Sequence, residues 1–315
     1  MIRWPAEVAG GRIATMGEFE SVTLRDPSSS LAATYVPVAG MICTSLADDG
    51  VEFLGQRRGL DAYVTNGKTM GIPILYPWAN RLSASKYGIN GAVVSLTIGT
   101  GGVRADEHGV PIHGVLAAYP GWLVTAKSEN ALTAVLDYGG RPRLLASFPF
   151  PHVLTQQITL ADRTLTIETT VMPTTAASVP LCFGYHPYFQ IPDVPRAQWT
   201  LTTPNMRRLP VDNWGIPTGD TEDWNGATEP LKNIAYDDGF DKVPDGAVFA
   251  VQGGDHRIEV KFEKGYPAAQ LFAPPGEGLI AIEPMAAPTD ALSRGNYRYA
   301  AAGKPETARF SIRVT

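Results

Sequence analysis

Four polar residues of this 315-residue chain stand where apolar or aromatic neighbours would bury them. His186 lies in Phe183-Gly184-Tyr185-His186-Pro187-Tyr188-Phe189, an ionisable ring inside the most aromatic stretch of the sequence, followed by a proline that restricts the local backbone. Burial there lowers an imidazole pKa, and a carboxylate nearby draws it back towards neutrality. Glu283 ends the apolar run Leu279-Ile280-Ala281-Ile282, just before Pro284. A carboxylate so placed needs a partner, a proton or a cavity. His113, in Pro111-Ile112-His113-Gly114-Val115, and Arg81, in Tyr76-Pro77-Trp78-Ala79-Asn80-Arg81, complete the set. The Asn80 amide and the Arg81 guanidinium together suit a hydroxyl-rich ligand, since both donate hydrogen bonds while Trp78 or Trp122 stacks on its ring.

Each of these residues also has a plainer reading. His186 fits a core histidine satisfied by packing and hydrogen bonds, Glu283 a structural salt-bridge partner, and His113 a loop residue exposed by the turn that Gly114 permits. His108, His152 and His256 have polar or strand-edge neighbours and read as structural or solvent-facing. Cys43 and Cys182 are too few for a disulfide framework or a Cys-rich zinc site, and their apolar surroundings mark them as buried reduced thiols. Asn66-Gly67-Lys68-Thr69 carries the end of a phosphate-binding loop but has Ala62 where that motif needs its first glycine. Gly99-Thr100-Gly101-Gly102 has the wrong spacing for a dinucleotide fingerprint and reads as a turn. The HExxH and GxSxG hydrolase signatures are missing.

The elements that must carry these side chains are strands. The 32 glycines and 26 prolines are spread along the chain and punctuate any long helix. Ile258, Val260 and Phe262 alternate with Arg257, Glu259, Lys261 and Glu263, the period of a strand with one wet face. Leu165, Ile167 and Val171, then Leu96 and Ile98, then Phe310, Ile312 and Val314 alternate with polar residues in the same way. Turn signals at Asp48-Asp49-Gly50, Asn90-Gly91, Ala161-Asp162 and Gly253-Gly254-Asp255 separate such runs. The pattern predicts an all-β, large antiparallel sandwich or barrel, with a single domain over 1–315 as the simpler organisation. The segment 193–250, with Trp199, Trp214 and Trp224, reads as long loops over the sheet.

Composition narrows the partners. Lys and Arg number 26 against 31 Asp and Glu, a net charge of −5, so there is no basic surplus to hold a phosphate backbone and nucleic acid is excluded. With 44% hydrophobic residues a large core is expected. The stretches 27–47 and 169–192 lack Asp, Glu, Lys and Arg, yet prolines and hydroxyl residues interrupt them, so no membrane span is expected. The N-terminal residues lack the apolar core of a signal peptide, which makes the cytosol the expected location.

Five segments in order resemble the aldose 1-epimerase (galactose mutarotase) family over nearly the whole chain. Val38-Ala39-Gly40-Met41 through Phe53-Leu54-Gly55 is similar to the family's opening strand pair. Gly71-Ile72-Pro73 through Asn80-Arg81, His113-Gly114 with Trp122, His186-Pro187-Tyr188-Phe189 and Ile282-Glu283-Pro284-Met285 follow, the HPYF motif being the most specific. Ala286, Val115 and Pro173 depart from common family residues, which leaves the preferred sugar open.

The resemblance implies a β-supersandwich and the interconversion of α and β anomers of a free aldose, with no metal or organic cofactor. It also implies Glu283 as base and His186 as acid, Arg81 and His113 as sugar ligands, and Asn80 as a substrate or supporting contact. Asp237 is the implied hydroxyl acceptor, in Asp237-Asp238-Gly239-Phe240, with Asp238 and Asp241 competing for that place. Two rivals share the fold. A hexose-6-phosphate 1-epimerase needs cations for a dianion, for which Arg57 and Arg58 are at hand. A non-catalytic sugar-binding protein would keep the cleft and lose turnover. The oligomeric state is open.

Overall fold

The computed structural model describes residues 19–89 and 91–315. The N-terminal expectation and Asn90 of the Asn90-Gly91 turn lie outside them. Two large antiparallel sheets dominate. The nine-stranded sheet is centred on the long hairpin His152–Ala161 and Thr164–Pro173, which continues through Glu306–Val314 and His256–Lys264 to Ala247–Gly253. These are the alternating runs of the sequence, and their apolar members form one face. The eight-stranded sheet includes Met206–Leu209, Tyr236–Asp241, Ala268–Ala273, Ile280–Met285, Gly184–Tyr185 and Ile74–Leu75, with Tyr188–Phe189 pairing separately to Ile280–Met285.

The sheets pack face to face. Tyr185 of the smaller sheet meets Phe310 of the larger at 5.1 Å between ring centres, and its hydroxyl lies 2.6 Å from Thr169 Oγ1. Ile282, Leu271 and Phe240 enter the same core as Ile167, Val260 and Ile312. Because side chains alternate along a strand, Gln270 and Glu283 must then point to the opposite face of the smaller sheet. That face carries the site.

Several sequence expectations need correction. The segment 193–250 is not loop alone: it contains Thr200–Thr203, Met206–Leu209, Glu222–Trp224, Ala227–Pro230, Tyr236–Asp241 and Ala247–Gly253. Its strands are short and held by polar cross-strand pairs such as Arg207 with Asp241 and Thr202 with Thr228, so hydrophobic alternation is weak. The strand expected around Leu96 and Ile98 is Ala92–Ser95; Leu96 is buried beyond its end and Ile98 is exposed. Lys68-Thr69 follows the C-terminal end of the helix Gly59–Asn66, whereas a phosphate-binding loop precedes a helix. Both cysteines are buried and free. Among the described residues, no helix is long and apolar enough to cross a membrane.

Candidate active site

Glu283 sits in the middle of a strand whose residues are all buried. Strand register sets Gln270 directly opposite Glu283, Gly239 opposite Gln270, and Asp237 opposite Phe272, so Asp237, Gln270 and Glu283 share one face. Gln270 Nε2 donates to Asp237 Oδ1 at 2.7 Å. Asp238 and Asp241 are committed elsewhere, to Arg208 at 2.7 Å and to Arg207 at 2.6 Å.

His186 reaches the same place from a neighbouring chain segment. Its backbone N–H donates to the Pro73 carbonyl, and Pro187 separates it from the two-residue strand Tyr188–Phe189. Its Nε2 lies 3.2 Å from Glu283 Oε1 and 3.1 Å from the Tyr188 hydroxyl. His186 is 5% exposed and Glu283 1%. The imidazole stacks on the Tyr188 ring at 4.2 Å, and the Tyr188 hydroxyl also meets Thr69 Oγ1 at 2.7 Å and accepts from Arg57 Nη1 at 3.2 Å.

His113 and Arg81 come from two crossing segments. The His113 N–H donates to the Asn80 carbonyl and the Leu82 N–H to the Pro111 carbonyl. Gly114 lets them cross, since a Cβ there would overlap the Tyr76 carbonyl oxygen. The His113 ring meets that of His186 edge-on at 5.6 Å, so His113 faces the site; it is not the exposed loop histidine of the plainer reading. Arg81 Nε donates to Asp106 Oδ2 at 2.6 Å and its Nη2 to Glu107 Oε1 at 3.0 Å. Asp106 and Glu107 were not singled out in the sequence, because an Asp-Glu pair in a turn gives no sign of a guanidinium 25 positions away. Asn80 is buried and its Oδ1 accepts the Arg81 backbone N–H, so it supports the Arg81 backbone.

Trp78 and Trp122 do not offer a stacking surface: both are buried in the core. The aromatic rings against His186 are Tyr188 and Phe272. His152 is structural, held between the Tyr76 hydroxyl and the Phe150 carbonyl at 2.6 Å each.

Electrostatics follow from burial. Desolvation pushes the Glu283 carboxyl well above the usual carboxylate range, Asp237 adds to this, and Arg81 opposes it. Desolvation pushes His186 well below the usual imidazole value, and its interactions with His113 and Arg57 lower it further. His113 is lowered to about 3, by burial first and Arg81 second. Asp237 is open to solvent yet surrounded by protein, and this desolvation raises it against the pull of Arg81 and Gln270.

The buried pair is flanked by two spaces. A narrow cleft is lined by Arg81, Asp237, Gln270 and Gly215, and a larger cavity of about 380 Å³ by His113, Thr69 and Arg104 among others. Glu283 Oε2, His186 Nδ1 and His113 Nδ1 are buried without hydrogen-bond partners among the described residues, which marks the region for a polar ligand. Asp106, Glu107 and His108 cluster closely enough to ligate a cation, but the two carboxylates are engaged by Arg81.

A family model described as aldose 1-epimerase matches residues 21–302. No curated protein sequence matches the chain. Among solved structures, the Slr1438 protein of Synechocystis sp. PCC 6803 is 22% identical, with a TM-score of 0.76 over 99% of each chain. A galactose mutarotase-like protein of Clostridium acetobutylicum is 14% identical, with a TM-score of 0.80 over 96% of this chain and 97% of its own. The galactose 1-epimerase of Lactobacillus acidophilus NCFM is 13% identical, with a TM-score of 0.71 over 95% of this chain and 99% of its own. These likenesses show the fold.

Proposed function

The chain belongs to the aldose 1-epimerase family, and from that premise we propose that it interconverts the α and β anomers of an aldose, with Glu283 and His186 as the proton-transfer pair. The observation that carries this reading is the 3.2 Å contact between His186 Nε2 and Glu283 Oε1 in surroundings nearly closed to water.

A pyranose opens when its C1 hydroxyl loses a proton and its ring oxygen gains one. The bond from C1 to the ring oxygen breaks, C1 becomes a carbonyl, and rotation about C1–C2 followed by reclosure gives either anomer. Glu283 takes the hydroxyl proton and His186 gives one to the ring oxygen. Glu283 is then a neutral acid and His186 a neutral imidazole, the protonation that burial favours in each. On closure the roles reverse, so one proton is shared by the pair throughout the cycle.

The remaining groups orient the sugar. Asp237 accepts from a hydroxyl, while Arg81, braced by Asp106 and Glu107, donates to a neighbouring oxygen. His113 lies against His186 and steadies the region of the ring oxygen. Asn80 holds the Arg81 backbone.

Polarimetry of freshly dissolved α-glucose, α-galactose and other aldoses tests the reading. Wild type accelerates mutarotation, and Glu283→Gln and His186→Asn each lower kcat by about 10² or more. A folded wild type that accelerates none of these sugars, nor their charged derivatives, contradicts the proposal.

A further inference from the structure

The 380 Å³ cavity beside His113 contains an excess of positive charge that the protein does not balance. Arg104 is half-buried, and its side chain makes no hydrogen bond or ion pair among the described residues, its buried Nη1 included. Its guanidinium rests against Gly67, where any Cβ would overlap it. Arg58 and Lys68 line the same cavity and make no ion pair among the described residues.

The other charges on the wall are spent. Arg57 is paired in a two-pronged contact with Glu277, at 3.0 and 3.1 Å. Asp106 and Glu107 are both engaged by Arg81. These two carboxylates share one guanidinium and keep one net negative charge, and the C-terminal end of the helix Gly59–Asn66 adds about half of another, against the three cations Arg104, Arg58 and Lys68. Burial lowers the Arg104 pKa, so its charge stands at a desolvation cost that no acceptor offsets.

We propose that this cavity receives an oxyanion carried on C6 of the sugar, a phosphate ester or a carboxylate, with Arg104 as its chief ligand and Lys68 and Arg58 beside it. The inference rests on the assignment of His186 to the ring oxygen. In a pyranose C6 is bonded to C5, which bears the ring oxygen, so a group on C6 projects from the side of the sugar that His186 serves. His113 bridges the two places: its ring touches that of His186, it lines the cavity, and Arg104 contributes to its lowered pKa. Of the two cations expected from the sequence, Arg58 lines the cavity while Arg57 is committed to Glu277, and Arg104 and Lys68 were not foreseen.

Exchange NMR with wild type, Arg104→Gln and Arg104→Lys measures anomer interconversion of glucose, glucose 6-phosphate and glucuronate. In wild type, kcat/KM for at least one charged sugar exceeds that for glucose by about tenfold or more. Arg104→Gln lowers that ratio about tenfold, chiefly through KM, and Arg104→Lys lowers it less. Preference for the phosphate or for the uronate identifies which oxyanion the cavity takes. Equal kcat/KM for neutral and charged sugars overturns the inference and leaves the acid–base reading intact.

If no sugar is turned over, calorimetric titration of inorganic phosphate into wild type and Arg104→Gln decides independently. Binding weakened by the substitution supports the subsite, and absence of binding to wild type removes it. Glu283→Gln is the matching control, since Glu283 does not line the cavity and its substitution leaves phosphate binding in place.

Discussion

Gln270 and Glu283 face one another across two antiparallel strands, and Gln270 donates its side-chain N–H to Asp237 on the next strand at 2.7 Å. A row of three polar side chains thus crosses the outer face of the smaller sheet, with Gln270 orienting the carboxylate expected to accept a sugar hydroxyl. Gln270→Ala leaves Asp237 free to rotate and removes an amide from the cleft. The expected loss in kcat/KM is about tenfold, most of it in KM, a split that polarimetry over a range of sugar concentrations resolves.

In the proposed reaction the Glu283–His186 pair sets the pH profile. It is competent when it holds one proton in total. Burial lowers the histidine and raises the carboxyl, so the doubly protonated form appears only below the ordinary imidazole value of 6.5 and the fully deprotonated form only above the ordinary carboxyl value of 4.5. The kcat/KM profile of wild type is therefore a plateau between an acid limb displaced well below 6.5 and an alkaline limb displaced well above 4.5. An acid limb with its midpoint at or above 6.5, or an alkaline limb with its midpoint at or below 4.5, would contradict this.

The same carboxyl affects stability. Its folded-state pKa lies above its unfolded value of about 4.5, so its contribution is fully present below that value and is lost as pH rises through the folded value. Glutamine cannot ionise and escapes this loss. The melting temperature of Glu283→Gln, relative to wild type, should rise from about pH 5 to about pH 9, as calorimetry at matched ionic strength would record.

Asp106 braces Arg81 and also accepts the backbone N–H groups of His108 and Val110 at 2.9 and 3.1 Å. Asp106→Ala removes all three contacts. We expect about 1–3 kcal/mol of lost stability in urea unfolding and a rise in KM of about tenfold. Glu107→Gln, which touches the exposed end of the guanidinium, should change either quantity far less.

Gly114 adopts φ +69° with the Tyr76 carbonyl against its Cα. Gly114→Ala must move one of the two crossing segments, at a cost of about 2–3 kcal/mol, and would displace His113. Unfolding and kinetics on one preparation test whether stability and kcat/KM fall together.

Much of the fold was legible because hydrophobic alternation is local. The runs around 165–171, 257–263 and 310–314 read as half-buried strands and are strands of the larger sheet. The runs in 200–241 were not legible, because their strands lie near the sheet edges and are joined through Arg–Asp, Arg–Glu and Thr–Thr pairs. Trp78 and Trp122 illustrate another limit: an aromatic residue in an irregular segment carries no sign of which way it points, and both point into the core.

By itself the sequence determined an all-β chain and singled out His186, Glu283, His113 and Arg81, since a polar group set among apolar neighbours is visible within a few residues. Only the tertiary structure decided which groups meet. Arg81 joins Asp106 across 25 positions, Gln270 joins Asp237 across 33, and Asp238 and Asp241 are taken up by Arg208 and Arg207 while Asp237 meets the amide opposite Glu283. Arg104 shows the same limit in reverse, as a cation whose lack of a partner among the described residues becomes visible only when the neighbouring carboxylates have found theirs. The physical reason is common to all these cases: burial preference is a property of a short segment, whereas pairing depends on the register of strands that are remote in the chain.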